Sequence, residues 1–202
     1  MIHARNVTLT LGGSGNTVTG GDGNDTVTGA PGGKTKVTLG NGNDTVDIGG
    51  SRDTITLGNG TNLVTDLGGM AFITTGSGDD TITIGGGGNT VNAGGGTNWI
   101  TDEGSSRDTF VLPGAGDGMD TIIGFALSAH DVLNVHAALA ETTWNGSKST
   151  LGNYLKVTNY GSGDTFVSIA ANGTGTGTEI AALTGAGNLT LAGLLSAHAL
   201  LT

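Results

Sequence analysis

Asp25, Asp44 and Asp80 each close a turn of one form. The three turns are Gly21-Asp22-Gly23-Asn24-Asp25, Gly40-Asn41-Gly42-Asn43-Asp44 and Gly76-Ser77-Gly78-Asp79-Asp80. Glycines let backbone carbonyls converge, and the closing carboxylate adds further oxygens. A flexible loop that offers only hard oxygens suits Ca²⁺ far better than Zn²⁺ or Mg²⁺. Asp and Asn also form side-chain-to-backbone turns and ladders without any ion. Anionic carboxylates stacked one above another repel, however, and a cation between them removes that cost.

Acid–base and nucleophilic chemistry find less support, and the chain reads as a non-enzyme. Asp79-Asp80 and Asp102-Glu103 have the form of proton-transfer pairs, but their place in turns favours ion binding or solvation. His3, His130, His136 and His198 show no metal-binding spacing. His130, Asp131 and His136 are close in sequence, and surface or core roles account for the histidines. Neither a G-x-S-x-G elbow nor a G-x-G-x-x-G loop occurs, even with 41 glycines.

The elements that must position the carboxylates follow from an internal repeat. An aliphatic or aromatic slot recurs at Leu9, Val18, Val27, Val37, Val46, Ile55, Val64, Ile73, Ile82, Val91, Ile100, Phe110 and Ile122. Its spacing is nine residues, stretched to ten at Val27–Val37 and Ile100–Phe110 and to twelve at Phe110–Ile122. Nine is too short for a helical hairpin and fits a strand of about three residues plus a turn of about six. Alternation puts the slot side chain on one face and its Thr neighbours on the other, as in Thr81-Ile82-Thr83. Two such rungs back to back make a coil of 18 residues, and stacked coils make an all-β solenoid with a narrow dry core.

In that coil the position two before each slot alternates between two edges. The first edge carries Asp25, Asp44, Asn62, Asp80, Asn98 and Asp120, every one oxygen-bearing. Its turns include Gly58-Asn59-Gly60 and Gly94-Gly95-Gly96. The second carries Asn16, Thr35, Asp53, Ala71, Asn89 and Asp108, and is interrupted at Thr35 and Ala71. Pro31, Lys34 and Lys36 argue against a cation at Thr35.

The nonapeptide Gly-Gly-x-Gly-x-Asp-x-aliphatic-x is matched in full by residues Gly20 to Thr28 and resembles the RTX repeats of bacterial type I secreted proteins. The resemblance covers roughly residues 8–125. It implies a right-handed parallel β-roll that holds several Ca²⁺ ions between successive turns, through backbone carbonyls and the Asp. Carried over position by position, the ion-holding groups on the first edge are Gly21, Gly23 and Asp25, Gly40, Gly42 and Asp44, Gly58, Gly60 and Asn62, Gly76, Gly78 and Asp80, with Asn98 and Asp120. On the second edge they are Asp53 and Asp108. The sequence departs from the pattern where Leu39, Leu57, Thr75 and Ala93 replace the first glycine, and where Asn62 and Asn98 replace Asp.

Composition fits an ion array. The chain has 202 residues with 17 acidic against 7 basic, so nucleic-acid binding has no electrostatic basis. All the acidic residues except Asp131, Glu141, Asp164 and Glu179 lie within the repeat. Cysteine is absent, and no apolar run is long enough for a transmembrane helix. Met1–Arg5 lacks a signal peptide's apolar region, and Thr8-Leu9-Thr10 is already in phase, as in the tail of a longer chain. Monomeric behaviour is expected.

Residues 1–125 therefore read as the β-roll and 126–202 as a separate, mostly-β cap. The cap should hold strands near 154–159, 165–169 and 179–183, a turn at Ala171-Asn172-Gly173 and a helix over His136–Glu141. Leu191–Leu201 has either structure. Asp108-Thr-Phe, Asp131-Val-Leu, Gly163-Asp-Thr-Phe-Val-Ser-Ile and the apolar ending resemble the C-terminal target region of type I secreted proteins. That implies an uncleaved export signal read by an ATP-driven transporter, and a secreted or surface location on a Gram-negative bacterium. The expected function is a calcium-dependent folding and export module of an RTX adhesin-like protein. The alternatives are ice binding through the Thr-x-Thr ranks, and polysaccharide binding or an accessory role beside a carbohydrate enzyme, with Trp99 as the contact.

Overall fold

The computed structural model describes residues 6–29 and 32–202, so the expectations at Met1–Arg5 and Pro31 lie outside it. Along the repeat the chain lays strands alternately into two sheets. They are β1 (Thr8–Leu11), β2 (Thr17–Thr19), β3 (Thr26–Gly29), β4 (Lys36–Thr38), β5 (Thr45–Ile48), β6 (Thr54–Thr56) and β7 (Leu63–Asp66). There follow β8 (Phe72–Thr74), β9 (Thr81–Ile84), β10 (Thr90–Asn92), β11 (Gly96–Asp102), β12 (Thr109–Val111), β13 (Gly118–Ile123) and β14 (Val132–Asn134). Odd-numbered strands pair in parallel in one sheet, even-numbered strands in the other. The result is a parallel β-solenoid of about 6 turns.

The register is the one that the slots dictate. Leu9, Val27, Val46, Val64, Ile82, Ile100 and Ile122 are successive partners in the first sheet. Val18, Val37, Ile55, Ile73, Val91 and Phe110 are partners in the second. From Val27 to Ile122 every slot residue is buried in one continuous core, because three-residue strands bury apolar area only by stacking. The Thr neighbours point outward, and so do Phe72 and Trp99, which are 59% and 50% exposed.

Both sheets run on past residue 125. In the second sheet β14 places Leu133 against Phe110 and is followed by β18 (Leu200–Leu201), with Leu200 against Leu133. In the first sheet β17 (Thr178–Thr184) lies parallel to β13, with Leu183 against Ile122. Between β14 and β17 the chain makes α1 (His136–Ala140), α2 (Leu151–Tyr154), β15 (Leu155–Asn159) and β16 (Thr165–Ile169). β15, β16 and β17 form an antiparallel meander that extends the first sheet to ten strands. The last apolar segment divides into α3 (Leu191–Ser196), capped by the Thr190 hydroxyl, and then β18. Phe110 and Phe125, with ring centroids 6.2 Å apart, lie where the repeat's core runs on into that of the cap, in one cluster with Leu133, Leu183 and Leu194.

Candidate cation sites along the turns

Two turn edges join the sheets, as the alternation of the carboxylate column requires. Asp25, Asp44, Asn62, Asp80, Asn98 and Asp120 stand just ahead of or within the odd strands, and all are buried. Asp53, Asn89 and Asp108 stand ahead of the even strands and are buried too. Inward placement has a reason in the backbone. Apart from Asp120, each side chain's Oδ1 accepts the backbone N–H of the equivalent residue one coil earlier.

On the first edge Val7 donates to Asp25 (2.8 Å), Asp25 to Asp44 (2.9 Å), Asp44 to Asn62 (3.1 Å), Asn62 to Asp80 (2.8 Å) and Asp80 to Asn98 (3.0 Å). On the second, Thr35 donates to Asp53 (2.6 Å), Ala71 to Asn89 (2.9 Å) and Asn89 to Asp108 (2.7 Å). The ladder uses one oxygen of each carboxylate. The other, Oδ2, is buried without a hydrogen-bond partner in Asp25, Asp44, Asp53, Asp66, Asp80, Asp108 and Asp120. Orphaned buried oxygens of this kind are rare, because each forfeits the solvation of a charged group.

A second file of oxygens lies beside the first edge. Gly42, Gly60, Gly78, Gly96 and Gly118 all take positive φ, and a Cβ on any of them would strike the carbonyl oxygen of the glycine one coil earlier, from Gly23 to Gly96. Only glycine lets the turns stack this closely, and the stacking brings a rank of carbonyls alongside the carboxylates. The Asn62 amide reports the distance between the two files. Its Nδ2 donates to Asp80 Oδ1 (2.9 Å), to the Gly60 carbonyl (3.2 Å) and to the Gly58 carbonyl (3.4 Å). One point can therefore be shared by carboxylate and carbonyl oxygens from two adjacent coils. Asn98 likewise donates to Asp120 Oδ1 (2.9 Å).

Asn62 and Asn98 thus alternate with Asp80 and Asp120, and their amides supply positive hydrogens to neighbouring carboxylates. Asp25 and Asp44 are adjacent with no amide between them, and there the oxygen-only donor set fits a hard cation best. Burial raises the Asp44 and Asp80 carboxyls above the ordinary range. Burial also lifts Asp120 to about 7, against the hydrogen bond from Asn98 and with the Asp80 charge adding to the rise. Each of these shifts has its first cause in the burial of a charge away from water.

Several residues at these edges stand outside the expected set. Asp22, Asn41 and Asn59 form a ladder of their own, each Oδ1 accepting from the amide one coil later, and Asn24 and Asn43 form another. These run opposite to the buried ladder, so neighbouring turns are tied in both directions. Asp66 and Asp102 lie at strand ends, two residues past the slots Val64 and Ile100, where Ile84 stands in register between them. Asp131 continues the second-edge column, accepting from Asp108 N (2.9 Å). His130 is exposed beside it, and the structure gathers no histidine cluster among the described residues.

No helix among the described residues is long and apolar enough to cross a membrane. Comparison of the chain with protein-family models, with curated proteins and with solved structures returns no match.

Proposed function

We propose that the chain is a calcium-dependent folding and export module, the C-terminal part of a secreted RTX-type bacterial protein. The observation that supports it is the file of buried Asp Oδ2 atoms with no hydrogen-bond partner, set against glycine carbonyls. Ca²⁺ bound there supplies the positive charge that buried carboxylates lack. The chain's own residues supply the coupling. Carboxylate and carbonyl files are assembled only when two coils are stacked, so a ligand of that site binds the folded chain and not the unfolded one.

In a calcium-poor cytosol the acidic, glycine-rich chain stays extended and can be threaded through an ATP-driven transporter that reads its C-terminal region. Extracellular calcium, in the range of roughly 10⁻⁴–10⁻³ M used by extracellular modules, then drives coiling. The location on this reading is extracellular or at the cell surface.

The test is far-UV circular dichroism in EDTA, followed by titration with Ca²⁺ and, separately, Mg²⁺. A coil spectrum that converts cooperatively to β with calcium alone is the expected result. A chain already β-rich in EDTA would sink the folding switch. That outcome would favour a solenoid held by its ladders, with the outward ranks Thr8-Thr26-Thr45 and Thr10-Thr28 as an ice- or polysaccharide-binding face.

A further inference from the structure

Asp102 ends β11, Asp108 precedes β12 and Asp131 precedes β14, yet one carboxylate oxygen from each lies within 4.8 Å of the others. All three are at least nine-tenths buried, with Asp102 at 7% exposure and Asp108 and Asp131 at 0%. Backbone amides hold them in place. Gly104 N donates to Asp102 Oδ1 (2.7 Å) and Asn89 N to Asp108 Oδ1 (2.7 Å). Asp131 accepts from Asp108 N (2.9 Å) and Ala126 N (2.8 Å). Asp108 Oδ2 remains buried without a partner, beside the charges of Asp102 and Asp131.

We propose that Asp102, Asp108 and Asp131 form a further divalent-cation site, suited to Ca²⁺, at the junction between the repeat and the cap. The site is built differently from the glycine turns. Two of its carboxylates come from the ends of a single turn, and the third comes from the next coil. Its donors are carboxylate oxygens alone, a hard set of the kind that Ca²⁺ takes in flexible coordination. Gly104 keeps the turn open, since a Cβ there would strike the Gly86 carbonyl oxygen and lie 2.9 Å from Asp102 Oδ1. The inference shares with the proposed function the premise that calcium compensates the buried carboxylates.

The test counts bound Ca²⁺ by native mass spectrometry on the full chain, on Asp102→Asn and on Asp44→Asn, with melting temperatures in EDTA and in calcium. An Asn at 102 keeps the Gly104 hydrogen bond through its own Oδ1 while removing a charge. Asp102→Asn is expected to bind one ion fewer, to melt higher than the native chain in EDTA and to melt lower in calcium. Asp108→Asn is a second variant, whose amide would take the place of the ion as Asn62 does on the first edge, and it should show the same reversal. An unchanged ion count in both, with Asp44→Asn losing an ion, overturns the junction site and leaves the glycine-turn sites standing. One ion on the native chain, lost in Asp102→Asn and kept in Asp44→Asn, supports the junction site and removes the others. No calcium on the native chain overturns both.

Discussion

Asp66, Asp108 and Asp120 carry the clearest cost of burial. Desolvation comes first in each case, lifting Asp66 to about 6 and Asp108 and Asp120 to about 7 from 3.8. A folded-state value above the unfolded one means that the folded chain keeps protons which the unfolded chain has already released. Stability of the ion-free chain then falls as pH rises from about 4 to about 7. In EDTA, the melting temperature should therefore climb on acidification from about pH 7 to about pH 5. Asp120→Asn should flatten that slope, and an EDTA melting temperature that drops on acidification would contradict the assignment. With calcium saturating, protons compete with the ion and the slope should flatten or reverse. A different residue-scale test concerns the glycine files. Gly60 has φ +135°, and a Cβ there meets the Gly42 carbonyl oxygen. Gly60→Ala should cost about 1–3 kcal/mol in denaturant unfolding, the range for backbone strain of this kind. It should also weaken calcium binding, because the carbonyl rank must part.

At the scale of elements, the three-residue strand is the unit, and its one inward side chain carries the energy. Ile82 is fully buried between Val64 and Ile100, so Ile82→Ala should lose about 2–5 kcal/mol in the same unfolding measurement. Strand, slot, register and both edges were legible from the nine-residue column, because a period-two strand and a fixed turn leave no other phase. The positions of the cap's three strands, its turn at Ala171-Asn172-Gly173 and the helix at His136 were legible from local pattern too. What escaped was the continuation of the ladder. Leu133, Leu183 and Leu200 extend the two slot columns, but a helical segment and a meander are inserted among them and erase the period. Asp66 and Asp102 escaped for another reason. Asp102 was read as a turn residue and Asp66 was passed over, although alternation from Val64 and Ile100 already puts both on the core face. The wording Thr81-Ile82-Thr83-Ile84 set against Trp99-Ile100-Thr101-Asp102 holds the clue: a carboxylate stands in line with an isoleucine.

For the whole molecule, the cap belongs to the same two sheets as the repeat. Removing residues 178–202 would take away β17 and β18 and uncover Ile122 and Leu133, the slots that Leu183 and Leu200 cover. The truncated chain should require more calcium to fold and do so less cooperatively in a circular-dichroism titration. A titration curve unchanged from that of the full chain would show that the repeat closes its own end. The stacking direction has a mechanical consequence. Hydrogen bonds between successive coils run along the axis, and each coil is linked to the next through a spacing of 18 residues, or 19 where the repeat slips, lengthening to 22 and 23 in the last coils. Tension applied between the ends loads the coils in series rather than in shear. Coils would peel off one at a time, each releasing roughly 60 Å of chain, so the protein would behave as a spool that yields length under load. The proposed ion sites span neighbouring coils, so on that reading the tension at which it yields would be set by the calcium around it.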